Sequence, residues 1–295
     1  MKCGTVSLIG RPNVGKSSLI NALLRTRAVI VSPKPQTTRN SIRCIYNDND
    51  SQIIFTDTPG LYRVNNSRDK LGIFLNDAIA GAVEGSDVIL WLVDAGTRTL
   101  AQDDYEISVM LPNVPVILVA SKSDRSDPKL AFALYDNLFK FTAKISVSAK
   151  LKRGLDNLLT ELKKVIPEGF PIYDPDVLMD TTERFMASEI IRGKILMLLY
   201  NEVPHRTAVE IEEYKSPDEY PDRNVLYIRA SLIAETEGQK KILIGSDGSM
   251  IEKIGMTSRA ELEKATGHKV FLDLWVKVIP NWRRDPAALR RLGYA

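Results

Sequence analysis

The sequence predicts an α/β domain with a mostly parallel sheet and helices on both faces, followed by a smaller α+β domain. Strand-like and helix-like segments alternate through roughly the first 165 residues, and repeated βα units of this kind build a parallel sheet that helices cover. Prolines at positions 167, 171 and 175 then mark a stretch that is typical of a linker. Beyond it the order changes to helix, two strands, helix, tight glycine turn, helix, strand and helix.

The domain boundary is predicted near these prolines. We expect a first domain over residues 1–170, a linker over 171–180 and a second domain over 181–295. The strand-like segments of the first domain are TVSLIG, SIRCIYN, SQIIFTDTPG, DVILWLVDA, PVILVASKSD and KISVSAK, and its helix-like segments include KSSLINALL, DKLGIFLNDAIAGAV and GLDNLLTELKKVI. The segments of the second domain are ERFMASEIIRGKILMLLY, TAVEIEEYK, NVLYIRASLIAE, QKKILIGSDGSMIEKIG, HKVFLDLWVKV and DPAALRRLGY, the last with Asp285 as its N-cap.

Composition is that of a globular protein without a membrane or secretion signal. Hydrophobic residues make up 44% and charged residues 26% of the 295. The longest apolar runs are far shorter than the roughly 20 residues of a membrane-spanning helix. The opening MKCGTVSLIG leads directly into a strand, which predicts no signal peptide. Cys3 and Cys44 are the only cysteines, so we expect a reducing, cytoplasmic location without disulfides or a zinc site.

Charge is distributed unevenly along the second domain. The net charge of the whole chain, +3, indicates no partner by itself. Residues 240–295 contain eleven Lys and Arg against six Asp and Glu, a net of +5, whereas residues 181–239 contain seven against eleven, a net of −4. A basic end favours nucleic-acid binding, although solvated faces of mixed charge give the same pattern.

The segment GRPNVGKS matches the pattern GxxxxGK[ST] of a phosphate-binding loop, the P-loop. A strand precedes it and a helix follows it, so its backbone N–H groups can meet phosphate oxygens at the positive end of a helix dipole. Lys16 would reach the β- and γ-phosphates, and the Ser17 hydroxyl would bind Mg²⁺. The residues predicted to surround the phosphates are Gly10, Arg11, Pro12, Asn13, Val14, Gly15, Lys16, Ser17 and Ser18.

Two later segments supply partners for the phosphates and the metal. FTDTPG places Asp57 at the end of an apolar strand, where a carboxylate directed at Mg²⁺ belongs, and Gly60 can turn its N–H toward a γ-phosphate. One of the two threonines of PQTTRN is expected to close onto the metal, and of the two we select Thr38. The predicted metal ligands are Ser17, Thr38 and Asp57, and the DTPG turn adds Thr58, Pro59 and Gly60 to the nucleotide site.

These motifs resemble those of the translation-factor-related GTPases, and most of all the Era family of bacterial ribosome-assembly GTPases. GRPNVGKS, QTTR, DTPG and SAK all match that family, as does the position of the linker. The resemblance implies a P-loop GTPase domain that binds GTP and GDP with Mg²⁺ and hydrolyses GTP to GDP and phosphate.

The base-reading motif departs from the family at one position. The family carries Asn-Lys-x-Asp, whereas this chain carries Ser121, Lys122, Ser123 and Asp124. The resemblance implies that Asp124 pairs with the N1 and N2 hydrogens of guanine and that Lys122 lies along the base. The missing asparagine normally helps to anchor this loop to the phosphate loop, so we expect guanine preference to persist with one hydrogen bond lost, at about 1 kcal/mol. The residues expected to support the base are Ser148, Ala149 and Lys150.

Two positions bear on the rate of hydrolysis. Leu61 follows DTPG, where Ras-like proteins carry a glutamine that orients the attacking water, and an apolar residue here is typical of Era-like families. We therefore expect slow turnover, since even Ras-like intrinsic hydrolysis is on the order of 10⁻⁴ s⁻¹. In related GTPases an asparagine at the position of Asn13 helps to hold K⁺, and an ordinary turn residue is the alternative. The expected catalytic residues are Lys16, Asn13, Thr38 and Gly60.

LIGSDGSMIEKIG in the second domain contains a GxxG turn between two helices. Such a turn lets a nucleic-acid backbone approach closely while a neighbouring apolar groove takes up bases. The order of elements resembles a bacterial-type KH domain, and LDLWVKV and LRRLGYA resemble the end of Era proteins. Asp247 is expected to repel phosphate, so the attraction falls to nearby lysines, for which simple solvation is the alternative. The expected RNA-binding residues are Ile244, Gly245, Ser246, Asp247, Gly248, Lys240, Lys241 and Lys253.

The two tryptophans of the second domain carry opposite expectations. Trp275 alternates with other residues on a strand and is expected in the core. Trp282 lies in NWRRD beside two arginines and is interpreted as exposed, with contact to RNA as one alternative.

The resemblance implies a monomer that couples GTP·Mg²⁺ to binding of the 3′ end of small-subunit ribosomal RNA, and that acts in maturation of the small ribosomal subunit. One alternative is an RNA-binding scaffold that binds guanine nucleotide with little hydrolysis. Another is a regulatory GTPase at the inner face of the cell membrane, for which the sequence offers no strongly basic amphipathic helix. A generic P-loop ATPase is disfavoured because Asp124 suits guanine.

Overall fold

The computed structural model describes residues 1–26, 28–32, 34, 37–62, 69–219 and 224–294. Within these ranges the chain divides into two compact units after Asp180. The first unit contains the residues up to 62 and residues 72–180, and the second contains residues 69–71 and 181–294.

A mostly parallel sheet forms the centre of the first unit, as the sequence predicts. Its strands are β1 (Lys2–Ile9), β2 (Ile42–Asn47), β3 (Ser51–Asp57), β4 (Val88–Asp94), β5 (Val116–Ser121) and β6 (Ala143–Ser146). Among the described residues the strand order is β2-β3-β1-β4-β5-β6, with β2 antiparallel to β3 and the other neighbours parallel. The carboxyl ends of β1, β3, β4 and β5 therefore lie along one edge of the sheet, where ligands bind in open α/β sheets.

The helices of the first unit are α1 (Lys16–Leu23), α2 (Lys70–Glu84, which belongs to this unit from Gly72 onward), α3 (Gln102–Met110), α4 (Lys129–Asp136) and α5 (Leu155–Val165). Their apolar residues cover strands that are buried along nearly their whole length, as in β3, β4 and β5. The helix-like segments that we identified from sequence correspond to α1, α2 and α5. α3 gave a weaker signal because QDDYEISVM has no continuous apolar stripe.

Residues 171–180 lie against β2 and β3 and include a turn in which the Val177 N–H donates to the Asp174 carbonyl (3.0 Å). The Ile45 N–H donates to the Leu178 carbonyl (2.9 Å), and the Asp180 N–H donates to the Arg43 carbonyl (3.0 Å). The Gln52 side chain also donates to the Tyr173 carbonyl (2.8 Å). The first unit thus includes the segment that we expect to act as a linker.

The second unit places helices on one face of a small sheet. Its elements are α6 (Glu183–Leu198), β7 (Ala208–Lys215), β8 (Leu226–Ala234), α7 (Glu237–Ile244), α8 (Ser249–Thr266), β9 (Val270–Val278) and α9 (Pro286–Arg291). In the described part of the chain the strand order is β7-β8-β9, antiparallel and then parallel. Ile195, Ile228 and Leu262 are fully buried members of its apolar core. The Asp285 side chain accepts from the Ala287 N–H (2.9 Å), so the predicted N-cap of α9 is confirmed.

Both expectations for the tryptophans of this unit are wrong. Trp275 is 57% exposed, because the apolar residues on either side of it in β9, Leu274 and Val276, face the helices. Trp282 is fully buried: its indole N–H donates to the Arg206 carbonyl (3.1 Å), and its ring stacks on Tyr294. Trp282 is therefore a core residue and does not present an aromatic face to RNA.

None of the helices in the described ranges combines the length and the apolar character needed to cross a membrane.

Candidate functional site

The phosphate loop turns sharply between β1 and α1, and its glycines make that path feasible. Gly10 has a φ of 143°, and a Cβ atom there would lie 2.3 Å from the Leu92 carbonyl oxygen. Gly15 has a φ of 103° immediately before α1 begins. Asn13 also adopts a left-handed conformation, with a φ of 62°, which asparagine tolerates better than most residues. The backbone geometry therefore accounts for an asparagine in this turn and does not bear on K⁺ binding by its side chain.

Lys16 is buried and rests on the loop itself. Its Nζ donates to the Gly10 carbonyl (3.0 Å) and lies 3.3 Å from the Arg11 carbonyl, which also accepts from it. Burial lowers the pKa of Lys16 to about 8, although the charge of Asp57 opposes the shift. Two neutral carbonyl oxygens are weaker partners for an ammonium group than phosphate oxygens, so the lysine is ready to exchange them.

Ser17, Thr38 and Asp57 meet in one cluster beside the loop. The Asp57 Oδ2 accepts hydrogen bonds from the Ser17 hydroxyl (2.6 Å) and the Thr38 hydroxyl (3.1 Å), and the two hydroxyl oxygens are 3.2 Å apart. The Asp57 residue is fully buried. Thr37 is directed elsewhere, since its hydroxyl donates to the Lys34 carbonyl (2.7 Å). One carboxylate and two hydroxyls form an all-oxygen donor set, which fits Mg²⁺.

The DTPG turn packs directly on the phosphate loop. The Thr58 hydroxyl donates to the Leu8 carbonyl (2.6 Å), which fixes the turn to β1. A Cβ atom at Gly60 would lie 2.9 Å from Pro12 Cγ and 3.1 Å from the Pro12 nitrogen, so this contact requires glycine. Leu61, the next residue, packs against the apolar core of the first unit. That contact accounts for an apolar residue where Ras-like proteins carry glutamine.

Ser121 joins the base-reading strand to the phosphate loop. It ends β5, is 4% exposed, and its hydroxyl donates to the Val14 carbonyl. The Val93 carbonyl lies 3.0 Å from the same hydroxyl oxygen. The serine therefore provides an anchor between the two segments, which our expectation of one lost hydrogen bond did not anticipate.

Lys122 and Asp124 follow Ser121 and are held by separate contacts. The Lys122 Nζ donates to the Asn13 carbonyl (2.8 Å) and to Asp94 Oδ2 (2.8 Å). Asp124 accepts from the Ser148 hydroxyl (2.6 Å), and this hydrogen bond lowers the pKa of Asp124, which keeps the carboxylate ionised as an acceptor. Ala149 and the exposed Lys150 continue the turn that Ser148 begins.

Sequence reasoning missed three side chains that hold this site. Asp94 ends β4 next to β5 and pairs with Lys122, and its place at the carboxyl end of a parallel strand was the available signal. Asn76 brackets the backbone of Tyr62, with its Oδ1 accepting from the N–H (3.0 Å) and its Nδ2 donating to the carbonyl (2.9 Å). Asp104 binds Arg11 of the phosphate loop from 93 positions away, and no local pattern announces such a contact.

The GxxG turn of the second unit is open to solvent. Gly245 has a φ of 77°, and a Cβ atom there would lie 2.7 Å from the Met250 nitrogen, so the turn requires glycine at this position. Asp247 and Gly248 are also left-handed, with φ values of 50° and 81°. Ser246 and Asp247 are exposed, as are Lys241 on α7 and Lys253 on α8, whereas Ile244 and Lys240 are half-buried. The turn and the lysines therefore lie on the two helices that the sequence placed on either side of it.

Two family models match separate parts of the chain. A model described as "50S ribosome-binding GTPase" matches residues 5–122, and a KH domain model matches residues 202–283. The first covers the phosphate loop and the cluster around Asp57, and the second covers the GxxG turn.

Three relatives match this chain over nearly its whole length. GTPase Era of Halothermothrix orenii is 41% identical over 297 residues, covering 99% of this chain and 98% of that protein. GTPase Era of Aquifex aeolicus is 41% identical and covers 100% of both chains. GTPase Era of Thermotoga petrophila is 43% identical, covering 99% of this chain and 97% of that protein.

Solved structures agree with these relatives. A crystal structure of Era in complex with MgGDPNP and nucleotides 1506–1542 of 16S ribosomal RNA has a TM-score of 0.93 at 39% identity, covering 100% of this chain and 99% of that one. A substituted Aquifex aeolicus Era bound to GDP·AlF4⁻ also has a TM-score of 0.93 at 39% identity and covers 100% of both chains. With a GTPase unit and a KH unit in the same order and over the same length, this chain belongs to the Era family of GTPases.

Proposed function

We propose that this protein binds GTP and GDP with Mg²⁺, hydrolyses GTP to GDP and phosphate, and binds the 3′ end of small-subunit ribosomal RNA during maturation of the small ribosomal subunit. The observation that carries the proposal is the meeting of three parts along one edge of the first sheet: the phosphate loop, the cluster around Asp57 and the base-reading residues. A full-length relative with the same fold holds both MgGDPNP and 16S ribosomal RNA.

The phosphates are held by the loop backbone and by Lys16. The Lys16 ammonium leaves the carbonyls of Gly10 and Arg11 and pairs with the β- and γ-phosphate oxygens. Gly60, packed on Pro12, offers its N–H to the γ-phosphate. These donors are most valuable where negative charge develops in the transition state, so they stabilise the transferring phosphoryl group.

Ser17, Thr38 and Asp57 are the proposed ligands of Mg²⁺. Their oxygens already converge, with both hydroxyls hydrogen-bonded to the Asp57 carboxylate. A Mg²⁺ ion held by these oxygens would neutralise phosphate charge during phosphoryl transfer. Thr38 lies on the segment between α1 and β2, so its departure from the cluster would release that segment after hydrolysis.

Guanine selectivity is assigned to Asp124. Its carboxylate, kept ionised by the Ser148 hydroxyl, accepts from the two N–H groups that guanine presents and adenine lacks. Lys122 and Ser121 hold this segment against the phosphate loop, so base and phosphates are read in one fixed geometry. Ala149 and Lys150 border the base beside Ser148.

Hydrolysis is expected to be slow and to depend on K⁺. Leu61 is half-buried against the core, and its apolar side chain cannot orient water, so the chain needs another source of charge in the transition state. We assign Asn13 to a K⁺ site at the phosphate loop. If so, K⁺ raises turnover relative to Na⁺, and Asn13→Ala removes that difference while GDP still binds.

The same position of Leu61 favours a second candidate, an RNA-binding scaffold that holds guanine nucleotide with little hydrolysis. Phosphate release measured with saturating GTP, Mg²⁺ and K⁺ separates the two. Turnover that K⁺ stimulates supports the GTPase, whereas GTP that stays bound and intact for hours supports the scaffold.

RNA binding is assigned to the GxxG turn and its lysines. The exposed backbone of Ser246 and Asp247 can approach a phosphate chain closely, while Lys240, Lys241 and Lys253 supply positive charge.

We place the protein in the cytoplasm as a monomer, with peripheral contact to the inner face of the cell membrane as an alternative. Sedimentation with anionic liposomes decides the membrane question, and light scattering decides the oligomeric state.

The experiment that tests the central proposal is calorimetry with GTP, GDP and ATP in Mg²⁺ and K⁺. Binding of GTP and GDP without ATP supports it, and equal binding of ATP contradicts the role of Asp124. A fluorescent oligonucleotide with the sequence of the 3′ end of 16S ribosomal RNA then tests the second unit, with a scrambled oligonucleotide of the same length as the control.

A further inference from the structure

A buried carboxylate ties the phosphate loop to two later helices. Asp104 occupies the third position of α3, and its side chain is fully buried. Its Oδ1 accepts from Arg11 Nε (3.0 Å) and from the Tyr135 hydroxyl (2.7 Å). Its Oδ2 accepts from Arg11 Nη2 and from the Ala101 N–H (2.8 Å). The phosphate loop, the start of α3 and α4 therefore meet on one side chain.

This set of contacts, the Asp104 network, leaves the carboxylate satisfied. A carboxylate offers about four acceptor positions, and in the described part of the chain four donors fill them. The hydrogen bond to Asp104 raises the pKa of Arg11, and burial raises the pKa of Tyr135, so both side chains stay protonated donors. The forked contact of Arg11 fixes direction as well as distance.

On the α4 side, the Asp104 network is anchored in the buried core through Tyr135. Tyr135 is 1% exposed and packs edge-on against Trp91 at a centroid distance of 5.5 Å. The Arg11 Nη2 also donates to the Thr99 carbonyl (3.1 Å), just before α3. Arg11 is therefore held against the core of the unit and has little freedom to move.

On the phosphate-loop side, the Asp104 network ends at Arg11, in the stretch 10–12 that Lys16 and Gly60 contact. Lys16 donates to the carbonyls of Gly10 and Arg11, and Gly60 packs on Pro12. Arg11 therefore provides one of the carbonyls on which Lys16 rests and directly precedes Pro12. A shift of its backbone would therefore move the resting place of the lysine and the support of the DTPG turn together.

We infer that Asp104 is a positioning residue for the nucleotide, acting through Arg11 on the path of the phosphate loop. The inference rests on the proposed binding of guanine nucleotide at this loop. A role limited to capping α3 through the Ala101 N–H is the contrary explanation, and the two differ in what substitution does to nucleotide affinity.

The test is a double-mutant cycle read as GDP affinity by calorimetry in Mg²⁺. We expect Asp104→Asn to weaken GDP binding about tenfold, the loss typical of one hydrogen bond to a charged group. Arg11→Met keeps the stem of the side chain and removes its donors, so we expect a similar loss. Because Asp104 acts only through Arg11, the double variant should bind GDP no more weakly than the weaker single variant.

Asp87→Asn is the control for the loss of a hydrogen-bonded carboxylate; Asp87 is half-buried, whereas Asp104 is fully buried. Asp87 accepts from the Thr5 N–H (2.7 Å) and the Thr5 hydroxyl (2.9 Å) in the same unit, at the start of β4. We expect this control to lower the melting temperature and to leave GDP affinity unchanged. Tyr135→Phe removes one hydrogen bond and keeps the ion pair, so a smaller loss of about threefold is expected.

The outcomes separate the inference from the proposed function. Wild-type affinity in Asp104→Asn, or losses that add in the double variant, overturns the positioning role. If Asp104→Asn fails to fold, Tyr135→Phe and Arg11→Lys decide instead, and wild-type affinity in both overturns it. A wild-type protein that binds no GDP overturns the proposed function and not this inference alone.

Discussion

The phosphate loop and the GxxG turn both depend on glycine, yet they are held in different ways. In the phosphate loop, Ser121 and Asp104 reach the backbone or side chains of the loop from 107 and 93 positions away. In the GxxG turn, Gly245 touches Met250 only a few positions later, and a Cβ atom at Gly248 would meet nothing within 4 Å. The phosphate loop is held by side chains from distant parts of the first unit, whereas the GxxG turn is set by its own local backbone geometry.

The difference matches the ligands that we assign. A nucleotide is small and highly charged, so affinity requires donors fixed before it arrives. A polymer with a phosphate backbone requires open access and exposed positive charge instead. Substitutions in the phosphate loop should therefore be felt across the first unit, whereas those in the GxxG turn should stay local.

Among these substitutions, Lys16→Ala is expected to lower nucleotide affinity the most. Removing the ammonium group deletes at least two charge-assisted hydrogen bonds to phosphate, which costs on the order of 1000-fold in GTP affinity. Calorimetry with GTP measures it, and binding of the RNA oligonucleotide without nucleotide is the control that should not change. An unaltered GTP affinity would remove Lys16 from the site.

Asp124→Asn is expected to redirect base selectivity by on the order of 100-fold, because two guanine N–H groups lose an ionised acceptor. Xanthine nucleotides, which carry an oxygen in place of the amino group, should then bind in preference to guanine nucleotides. Asp127→Asn is the control: Asp127 is exposed, and it accepts from the Lys129 N–H (3.0 Å), a hydrogen bond that an asparagine oxygen can keep. Retained preference for GTP in Asp124→Asn would exclude its assigned role.

Gly248→Asp is expected to weaken RNA binding about tenfold and to leave GDP affinity intact, since it adds charge repulsion at the turn. Gly267→Asp is a matched control: Gly267 has a φ of 73°, lies at the other end of α8, and also has open space around it. The two variants carry the same charge and comparable strain, so a difference between them isolates the place of the substitution. Equal RNA affinity in both would remove the turn from the interface.

Ser121→Ala tests one of the long-range contacts that hold the phosphate loop. It deletes the hydroxyl that donates to Val14, and we expect about a fivefold loss of GDP affinity, the usual net value of one hydrogen bond. Ser123→Ala, two positions on, serves as the control. An unchanged affinity in Ser121→Ala would mean that Lys122 alone holds the two segments together.

The smallest expected effect is a linked proton. Lys16 has a pKa of about 8 without nucleotide, and bound phosphates raise it, so binding takes up protons as the pH rises through 8. We expect the proton uptake per GDP to be small at pH 7 and to rise toward one proton by pH 9. Calorimetry in buffers of different ionisation enthalpy measures the uptake, and a value that does not change with pH would contradict the buried lysine.

The nucleotide site was largely predictable from sequence because its residues sit at fixed offsets from strands. GRPNVGKS and DTPG end or follow parallel strands, whose carboxyl ends share one edge of the sheet, so the meeting of Ser17 and Asp57 could be foreseen. The long-range contacts that hold the phosphate loop could not be predicted in this way. Arg11 and Asp104 are far apart in the chain, and α3 lacks the apolar period that would have placed Asp104 on its inner face.

The tryptophans show which signals were present and unused. Leu274 and Val276 share one face of β9, whereas Asp273 and Lys277 share the face of Trp275, so the alternation itself favoured an exposed tryptophan. Trp282 is different, because its burial depends on Arg206 and Tyr294, which only the folded chain brings to it. The exposure of Trp275 was therefore predictable from the alternation in β9, whereas the burial of Trp282 depends on tertiary contacts.

The different surroundings of the three tryptophans also give the protein built-in optical reporters. Trp91 is sealed in the first unit against Tyr135 and Phe141, and Trp282 is sealed in the second. Trp275 is the one that meets solvent, at 57% exposure. Its emission should therefore lie at longer wavelength and be quenched by acrylamide, while the other two stay shielded. A ligand that covers β9 would restore the quenched fraction without any label being attached.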